Sequence, residues 1–477
     1  MVRGAHLTED RSREAPGAGV AVATATRHSA SGGGRLLDVV GRLSWGVADQ
    51  AVSSLSNFAL GIYVARTFGP IHFGAFSLAF ITYTVVLNAS RGMATDPMLV
   101  RYSGAVRRHW RQATASATGV ALLVGTVAGL ICLGAGLLLP NPLGPAFVAL
   151  GFGLPGLMLQ DSWRFSFFTA GKGGSALMND LVWTVLLVGV IAALDLSRTG
   201  TVPRCILALG GTAWLAAIFG AVQSGVMPRP GVTLHWFRDH HRLSFRYLLE
   251  NVAASGSAQI RSTVLGAVAG LASVGYVRGA EILMGPFVVI QNGVAQVAVP
   301  EVSKALKRSS GRLARFCFAL GSAVAAGALA WGIILMTVLP LGLGDALMKE
   351  IWRPAAQLLP AVTLTLVMGS YCNAAMGGLR AMGVSWRSLR AQLTSSTAYV
   401  LGGATGAVLG GALGTVWGVA VANTFSALVW WYHLRAALRD YHEQQPSPVI
   451  PHPSAAAEPT TIAPPAAVHP TAPTETA

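Results

Sequence analysis

Long apolar stretches dominate this chain and alternate with short polar connections. The stretches 112–160, 205–228, 316–344, 354–379 and 391–434 contain no Asp, Glu, Lys or Arg. A membrane-crossing helix needs about 20 mainly apolar residues, so two of these stretches can each hold two helices. Backbone groups in lipid must find their hydrogen bonds within the segment. The pattern therefore predicts an all-α polytopic membrane protein.

The apolar pattern predicts about twelve membrane-spanning helices. They lie near 44–66, 71–94, 114–138, 144–169, 177–195, 203–225, 246–268, 274–299, 316–340, 355–378, 392–410 and 414–435. We expect two six-helix bundles, 41–228 and 246–440, joined by a cytoplasmic linker at 229–245. Both ends, 1–40 and 441–477, are predicted to be disordered because they are rich in small residues or in Pro, Ala and Thr.

Composition and loop charge give the orientation. Hydrophobic residues make up 53% of the chain, charged residues only 11%, and the net charge is +15. In a membrane protein such a charge reflects the Lys and Arg of cytoplasmic loops rather than a nucleic-acid partner. Every second loop is rich in Arg, as in 101–111 and 304–315, whereas the intervening loops are poor in base. We therefore expect both termini in the cytoplasm and the protein in the plasma membrane.

The first and second halves begin with similar sequences. DQAVSSLSNF starts at Asp49, and ENVAASGSAQ starts 201 residues later at Glu250. At the same offset Gly69 matches Gly270 and Gly74 matches Gly275. Six predicted spans per half give both copies one orientation, which is the parallel-repeat arrangement of some transporters.

Charged residues within the predicted spans are the candidate functional residues, because each costs roughly 2.5–3.5 kcal/mol on insertion scales. Arg261 lies well inside span seven. Arg278 and Glu281, three residues apart in span eight, share a helix face. Two arginines at one aqueous space would suit a phosphate or diphosphate. The alternative is a structural ion pair among the three. Gln259 and Asn292 add polar atoms nearby.

Asp49, Glu250, Arg91 and Arg164 lie near the cytoplasmic ends of their spans. They are candidates for coupling or gating, and the alternative is snorkelling or helix capping. The four cysteines have no CxxC spacing and are interpreted as packing residues. The sequence contains no P-loop, zinc HExxH, catalytic triad or redox motif, so we expect no metal, no cofactor and no enzymatic activity.

Two stretches resemble the multidrug/oligosaccharidyl-lipid/polysaccharide exporter superfamily, in particular its polysaccharide flippase branch. They are VARTFGPIHFGAFSLAF (64–80) and LQDSWRFSFFTAGKGGSALMNDLVW (159–183). The resemblance implies two bundles in a V around a central cavity. It also implies that cavity arginines, here Arg261 and Arg278, hold the diphosphate of a polyprenyl-linked glycan.

The expected function is thus translocation of a polyprenyl-diphosphate-linked oligosaccharide by alternating access. Expected partners are this lipid-linked glycan, membrane lipids and polysaccharide-assembly proteins. A drug or cation antiporter of the same superfamily is the main alternative, although Asp49 matches the acidic residue of that branch only loosely. A membrane glycosyltransferase or polymerase, and a scaffold without transport, are further alternatives.

Overall fold

The computed structural model describes residues 32–308, 310–382 and 384–443. The predicted disordered ends lie mostly outside this range. Within it the chain forms helices and no strand. They are α1 (Gly32–Ser90), α2 (Asp96–Tyr102), α3 (Arg107–Leu138), α4 (Leu143–Thr169), α5 (Gly173–Leu196), α6 (Val202–Ser224), α7 (Thr233–Arg308), α8 (Ser310–Val338), α9 (Leu343–Met348), α10 (Trp352–Ala381) and α11 (Ser385–Glu443). A π-helical segment, Arg91–Thr95, joins α1 to α2. The all-helical prediction is confirmed.

In the described part of the chain, nine helices are long and apolar enough to cross a membrane. Three of them, Ala48–Tyr102, Ser244–Gln291 and Trp386–Tyr441, have 48 to 56 residues. At 1.5 Å per residue each would extend roughly 70–85 Å if straight, more than twice the hydrocarbon thickness of about 30 Å. Each is instead broken at non-helical glycines, Gly69, Gly270 or Gly410 with Gly411.

The breaks fall where the sequence predicts turns between spans. In α11 the segments on either side of the break pack closely, because a Cβ on Gly402 would lie 2.5 Å from the Gly418 carbonyl oxygen. In α7 a Cβ on Gly266 would lie 3.3 Å from Val274, across the break at Gly270. Both helices therefore fold back on themselves. The count of twelve crossings stays a prediction.

The matched glycines of the two halves adopt the same conformation. Gly69 has φ 73° and ψ 174°, and Gly270 has φ 81° and ψ 164°, a left-handed region that glycine enters without steric cost. Beyond each break a glycine faces the other half. A Cβ on Gly275 would lie 2.6 Å from the Pro70 carbonyl oxygen, and a Cβ on Gly74 would collide with the carbonyl of Leu271. Gly74 and Gly275 are 201 residues apart, and so are Pro70 and Leu271. The two contacts are therefore equivalent in the two halves, and together we name them the glycine crossing.

The predicted linker 229–245 is largely helical, since α7 begins at Thr233. It is fixed to the first half by Trp236 and Ser244, which donate hydrogen bonds to the Met93 carbonyl at 3.1 and 3.2 Å. His240 stacks on Trp236 with ring centroids 4.1 Å apart, and burial lowers its pKa. The segment of α7 from Trp236 to Ser244 thus attaches the second half to the first.

Widening the glycine crossing should destabilise the fold. Gly74→Val places branched carbons against the Leu271 carbonyl, and overpacking of this kind costs about 1–3 kcal/mol. We expect a lower thermal unfolding midpoint in detergent. Gly189→Val on α5 is the matched control, because a Cβ at Gly189 meets nothing within 4 Å. Equal midpoints for the two variants would show that the halves are not held at this contact.

Candidate functional site

A cavity of about 700 Å³ lies between the two halves. The first half contributes α1 and the second half contributes α7, α10 and α11. Its walls are mostly apolar. The charged lining residues are Arg261, Arg278 and Glu281. The structure thus brings together three of the charged residues that the sequence singles out, those on predicted spans seven and eight.

Glu281 is shared by both arginines. Arg261 Nη2 lies 2.8 Å from Glu281 Oε1, and Arg278 Nη1 lies 3.5 Å from Oε2. The two alternatives from the sequence are therefore not exclusive, because the residues pair with one another and also line the cavity. The three charges sum to +1. The Nε atoms of both arginines are buried without a hydrogen-bond partner among the described residues.

Aromatic rings and a glycine position the two guanidinium groups. Arg261 lies over the ring of Tyr399 at 5.4 Å, and Arg278 lies over Phe80 at 5.3 Å, within the range of cation–π attraction. A Cβ on Gly403 would lie 2.6 Å from Arg261 Cγ, so this glycine makes room for the arginine. The Arg261 side chain is only 5% exposed, whereas that of Arg278 is 25% exposed. Arg278 is thus the more accessible of the two.

The other two predicted cavity residues differ. Gln259 is half-buried, and its amide donates to Thr263 at 3.4 Å. It does not belong to the described lining of the cavity. Asn292 lies outside the residues whose side chains the structure describes, so its role stays a prediction.

A polar passage leads from the cavity toward the start of α7. A second cavity, of about 400 Å³, shares Thr365 and Leu366 with the first. A third, of about 450 Å³, shares Glu250, Asn251 and Arg380 with the second. Amides and hydroxyls line the second, among them Gln291, Asn373, Gln392, Ser395 and Asn423.

An ion pair lies where the second and third cavities meet. Arg380 Nη2 donates to Glu250 Oε1. Glu250 precedes Arg261 by 11 residues and Gly270 by 20, which places Glu250 about 30 Å from the break at Gly270 along a helix. Arg261 therefore lies about halfway along α7 between this ion pair and the glycine crossing.

The first half contains a separate buried charge network. Arg164 donates to Asp49 and lies 3.5 Å from Asp180, whose side chain is 1% exposed. Arg91 makes two hydrogen bonds to Asp161, at 2.6 and 2.9 Å. Three carboxylates thus face two guanidinium groups, a charge of −1 if all are ionised. Buried pairing replaces the snorkelling and capping that the sequence left open for Asp49, Arg91 and Arg164.

Sequence reasoning missed several members of these sites. Tyr399 lies in an uncharged apolar stretch, and nothing near it in the sequence indicates its contact with Arg261. Arg380 lies in a predicted loop, and nothing near it indicates its ion pair with Glu250. Asn179 and Gln160 are likewise part of the first-half network, where Gln160 donates to Asp180 at 2.7 Å. Among the described residues, no group of three or more His, Cys, Asp and Glu could hold a metal ion.

Comparison with known proteins shows the fold. No protein-family model and no curated protein matches the chain. Solved structures do. The chain is similar to a multidrug resistance MATE family transporter of the MOP superfamily in its inward-facing conformation, with 14% identity, a TM-score of 0.66, and coverage of 83% of this chain and 96% of the other.

Two further structures show the same similarity. An outward-facing conformation of a MATE family transporter gives 16% identity and a TM-score of 0.56, covering 87% of this chain and 99% of the other. A MOP superfamily transporter from Pyrococcus furiosus, described as having a binding pocket of reversed polarity, gives 16% and 0.58, covering 87% and 100%. The chain therefore has a MATE-like transporter fold over most of its length.

Proposed function

We propose that this protein is a membrane transporter that moves a polyprenyl-diphosphate-linked oligosaccharide across the membrane by alternating access. The observation that carries the proposal is the arginine pair of the central cavity. Among the described residues, Arg261 and Arg278 share one carboxylate, that of Glu281, so their site has a charge of +1 in apolar surroundings. Such a site favours an anion, and guanidinium forks match phosphate oxygens with two parallel hydrogen bonds.

The cavity and the passage together suit a substrate that has a charged diphosphate, a polar glycan and an apolar chain. The diphosphate would take the accessible face of Arg278, whose side chain is 25% exposed. The amide- and hydroxyl-lined passage offers donors and acceptors at many positions, as a glycan requires. The polyprenyl chain would stay in the lipid beside the cavity.

Two contacts at opposite ends of the cavity are the basis for proposing alternating access. At the glycine crossing the halves touch backbone to backbone. At the other end the passage is crossed by the Glu250–Arg380 ion pair, which lies within the second half. By loop charge the ion-pair end is cytoplasmic and both termini are cytoplasmic. We propose the plasma membrane as the location and polysaccharide-assembly proteins as partners.

The first-half network favours a second candidate function, an antiporter that exports a drug or another solute against a cation. Its extra carboxylate would be balanced by a proton or a cation. Oxygen atoms of Asp49 and Asp180 are buried without a hydrogen-bond partner among the described groups. The same network could couple glycan transport to a gradient.

Loss of the cavity arginines should impair transport. We expect Arg278→Gln to slow translocation of a polyprenyl-diphosphate disaccharide in proteoliposomes by about tenfold or more, because a charge-assisted hydrogen bond contributes about 1.5–3 kcal/mol. A neutral glycolipid without diphosphate should move no faster in wild type than in the variant. The control is Arg353→Gln, which replaces an exposed arginine at the start of α10. Unchanged transport in both Arg278→Gln and Arg261→Gln would exclude this site.

Breaking the Glu250–Arg380 pair should open the passage. Native Cys372 lines it and reports access once the three buried cysteines are replaced by Ala. Glu250→Gln and Arg380→Gln should each speed labelling of Cys372 by a water-soluble thiol reagent, and the charge swap Glu250→Arg with Arg380→Glu should restore slow labelling. Arg387→Gln, which breaks the comparable pair with Asp440 at 2.5 Å, is the control. If Cys372 is labelled at the same rate in wild type and in both single variants, the ion pair is not a gate.

Removal of the extra carboxylate should uncouple transport from a gradient. Asp180→Asn leaves two carboxylates for two arginines in the network. We expect transport by this variant in vesicles to lose its dependence on an imposed proton or sodium gradient while downhill movement persists. Asp345→Asn, on an exposed segment, serves as the control. If wild type responds to neither gradient, both coupling and the antiporter alternative fail.

A further inference from the structure

A groove separate from the three cavities described above opens on the outer face of the second half. It has a volume of about 400 Å³ and lies among α8, α10 and α11. None of its described lining residues also lines the central cavity or the passage. Its lining includes Phe318 and Tyr371 and, on α11, Thr424, Trp431, Arg435 and Arg439.

The groove belongs to a face of α11 that points away from the transport route. The residues of α11 that line the route include Val416, Val419, Asn423 and Trp430. The groove residues from Thr424 to Arg439 follow helical spacing on another stripe, roughly 130° around the helix at 3.6 residues per turn. Leu428 is 68% and Tyr432 is 64% exposed. In a protein embedded in a bilayer, this face meets lipid.

Aromatic packing fixes the walls of the groove. The ring of Phe318 lies 5.9 Å from Tyr371 and 5.8 Å from Trp431, and the Tyr371 hydroxyl is 3.2 Å from that of Ser322. Gly321 lets α8 approach, since a Cβ there would lie 3.2 Å from Tyr371. These contacts hold the groove open as a built apolar slot.

Arginines collect at one end of this slot. Arg435 and Arg439 are one turn apart on α11, beyond Trp431. Arg315 lies one turn before Phe318 on α8 and is exposed, so the Phe318–Trp431 contact brings it to the same end. Asp440, a described acid close by in sequence, is already paired with Arg387 at 2.5 Å. By loop charge this end faces the cytoplasmic leaflet, where anionic lipids are concentrated.

We infer that this groove binds an anionic phospholipid of the cytoplasmic leaflet, with an acyl chain in the aromatic slot and the headgroup phosphate on Arg435 and Arg439. Apolar walls alone would accept any lipid chain. The arginines at the slot's mouth select a headgroup with net negative charge, because a zwitterionic headgroup offers the same phosphate with a compensating ammonium. The site is independent of the proposed transport substrate.

Native mass spectrometry of the full-length protein tests this inference. Protein is reconstituted with equal phosphatidylglycerol and phosphatidylcholine, and the retained lipids are counted. We expect wild type to retain phosphatidylglycerol preferentially, and the double variant Arg435→Gln, Arg439→Gln to bind it roughly tenfold or more weakly, since each such arginine contributes substantially near an anionic surface. The control is Arg107→Gln, Arg108→Gln, two exposed arginines at the start of α3.

A second variant separates the groove from simple surface charge. Thr424→Trp fills the slot and keeps both arginines, and it should also release the lipid. Retention by Thr424→Trp, equal retention of both lipids by wild type, or no effect of the arginine pair would each overturn the inference. Displacement of phosphatidylglycerol by equimolar polyprenyl phosphate would assign the groove to the carrier lipid instead. Arg278→Gln should leave lipid retention unchanged, whatever it does to transport.

Discussion

The need to match charge inside a membrane governs the arrangement of this protein. A charged side chain at mid-bilayer costs roughly 2.5–3.5 kcal/mol on insertion scales, and an ion pair at 4 Å recovers about 4 kcal/mol at an effective dielectric constant of 20. The deeply buried arginines have carboxylate partners accordingly, Arg164 with Asp49 and Arg261 with Glu281. The half-buried Arg91 is likewise paired with Asp161. The helices that carry these partners are thereby held in register.

Pairing is incomplete in opposite senses in the two halves. The first-half network has one carboxylate too many, and the cavity site of the second half has one guanidinium too many. The two excess charges are on different helices, and no ion pair joins them among the residues that the structure describes. An imbalance of this kind can be satisfied by a mobile ion or substrate, a cation or proton in the first half and an anion in the second.

The sequence was informative where physics acts locally. Apolar length predicted the helices, and the breaks at Gly69, Gly270 and Gly410 fall in the predicted turns. Charge inside apolar segments predicted that Arg261, Arg278 and Glu281 belong together. Partners that depend on three-dimensional packing could not be predicted, because nothing near Tyr399 or Gly403 in the sequence indicates Arg261, and Arg380 is 130 residues from Glu250.

The internal similarity separates positions that set the backbone from positions that carry charge. Positions that set backbone geometry kept their function in both halves, since Gly69 and Gly270 share a conformation and Gly74 and Gly275 make equivalent contacts. Positions that carry charge diverged. Leu60 corresponds to Arg261, Ser77 to Arg278 and Phe80 to Glu281. Phe80 and Glu281 both contact Arg278, one through its ring and one through its carboxylate. The two halves thus share the glycines that shape the backbone at their contact, whereas their buried charges differ.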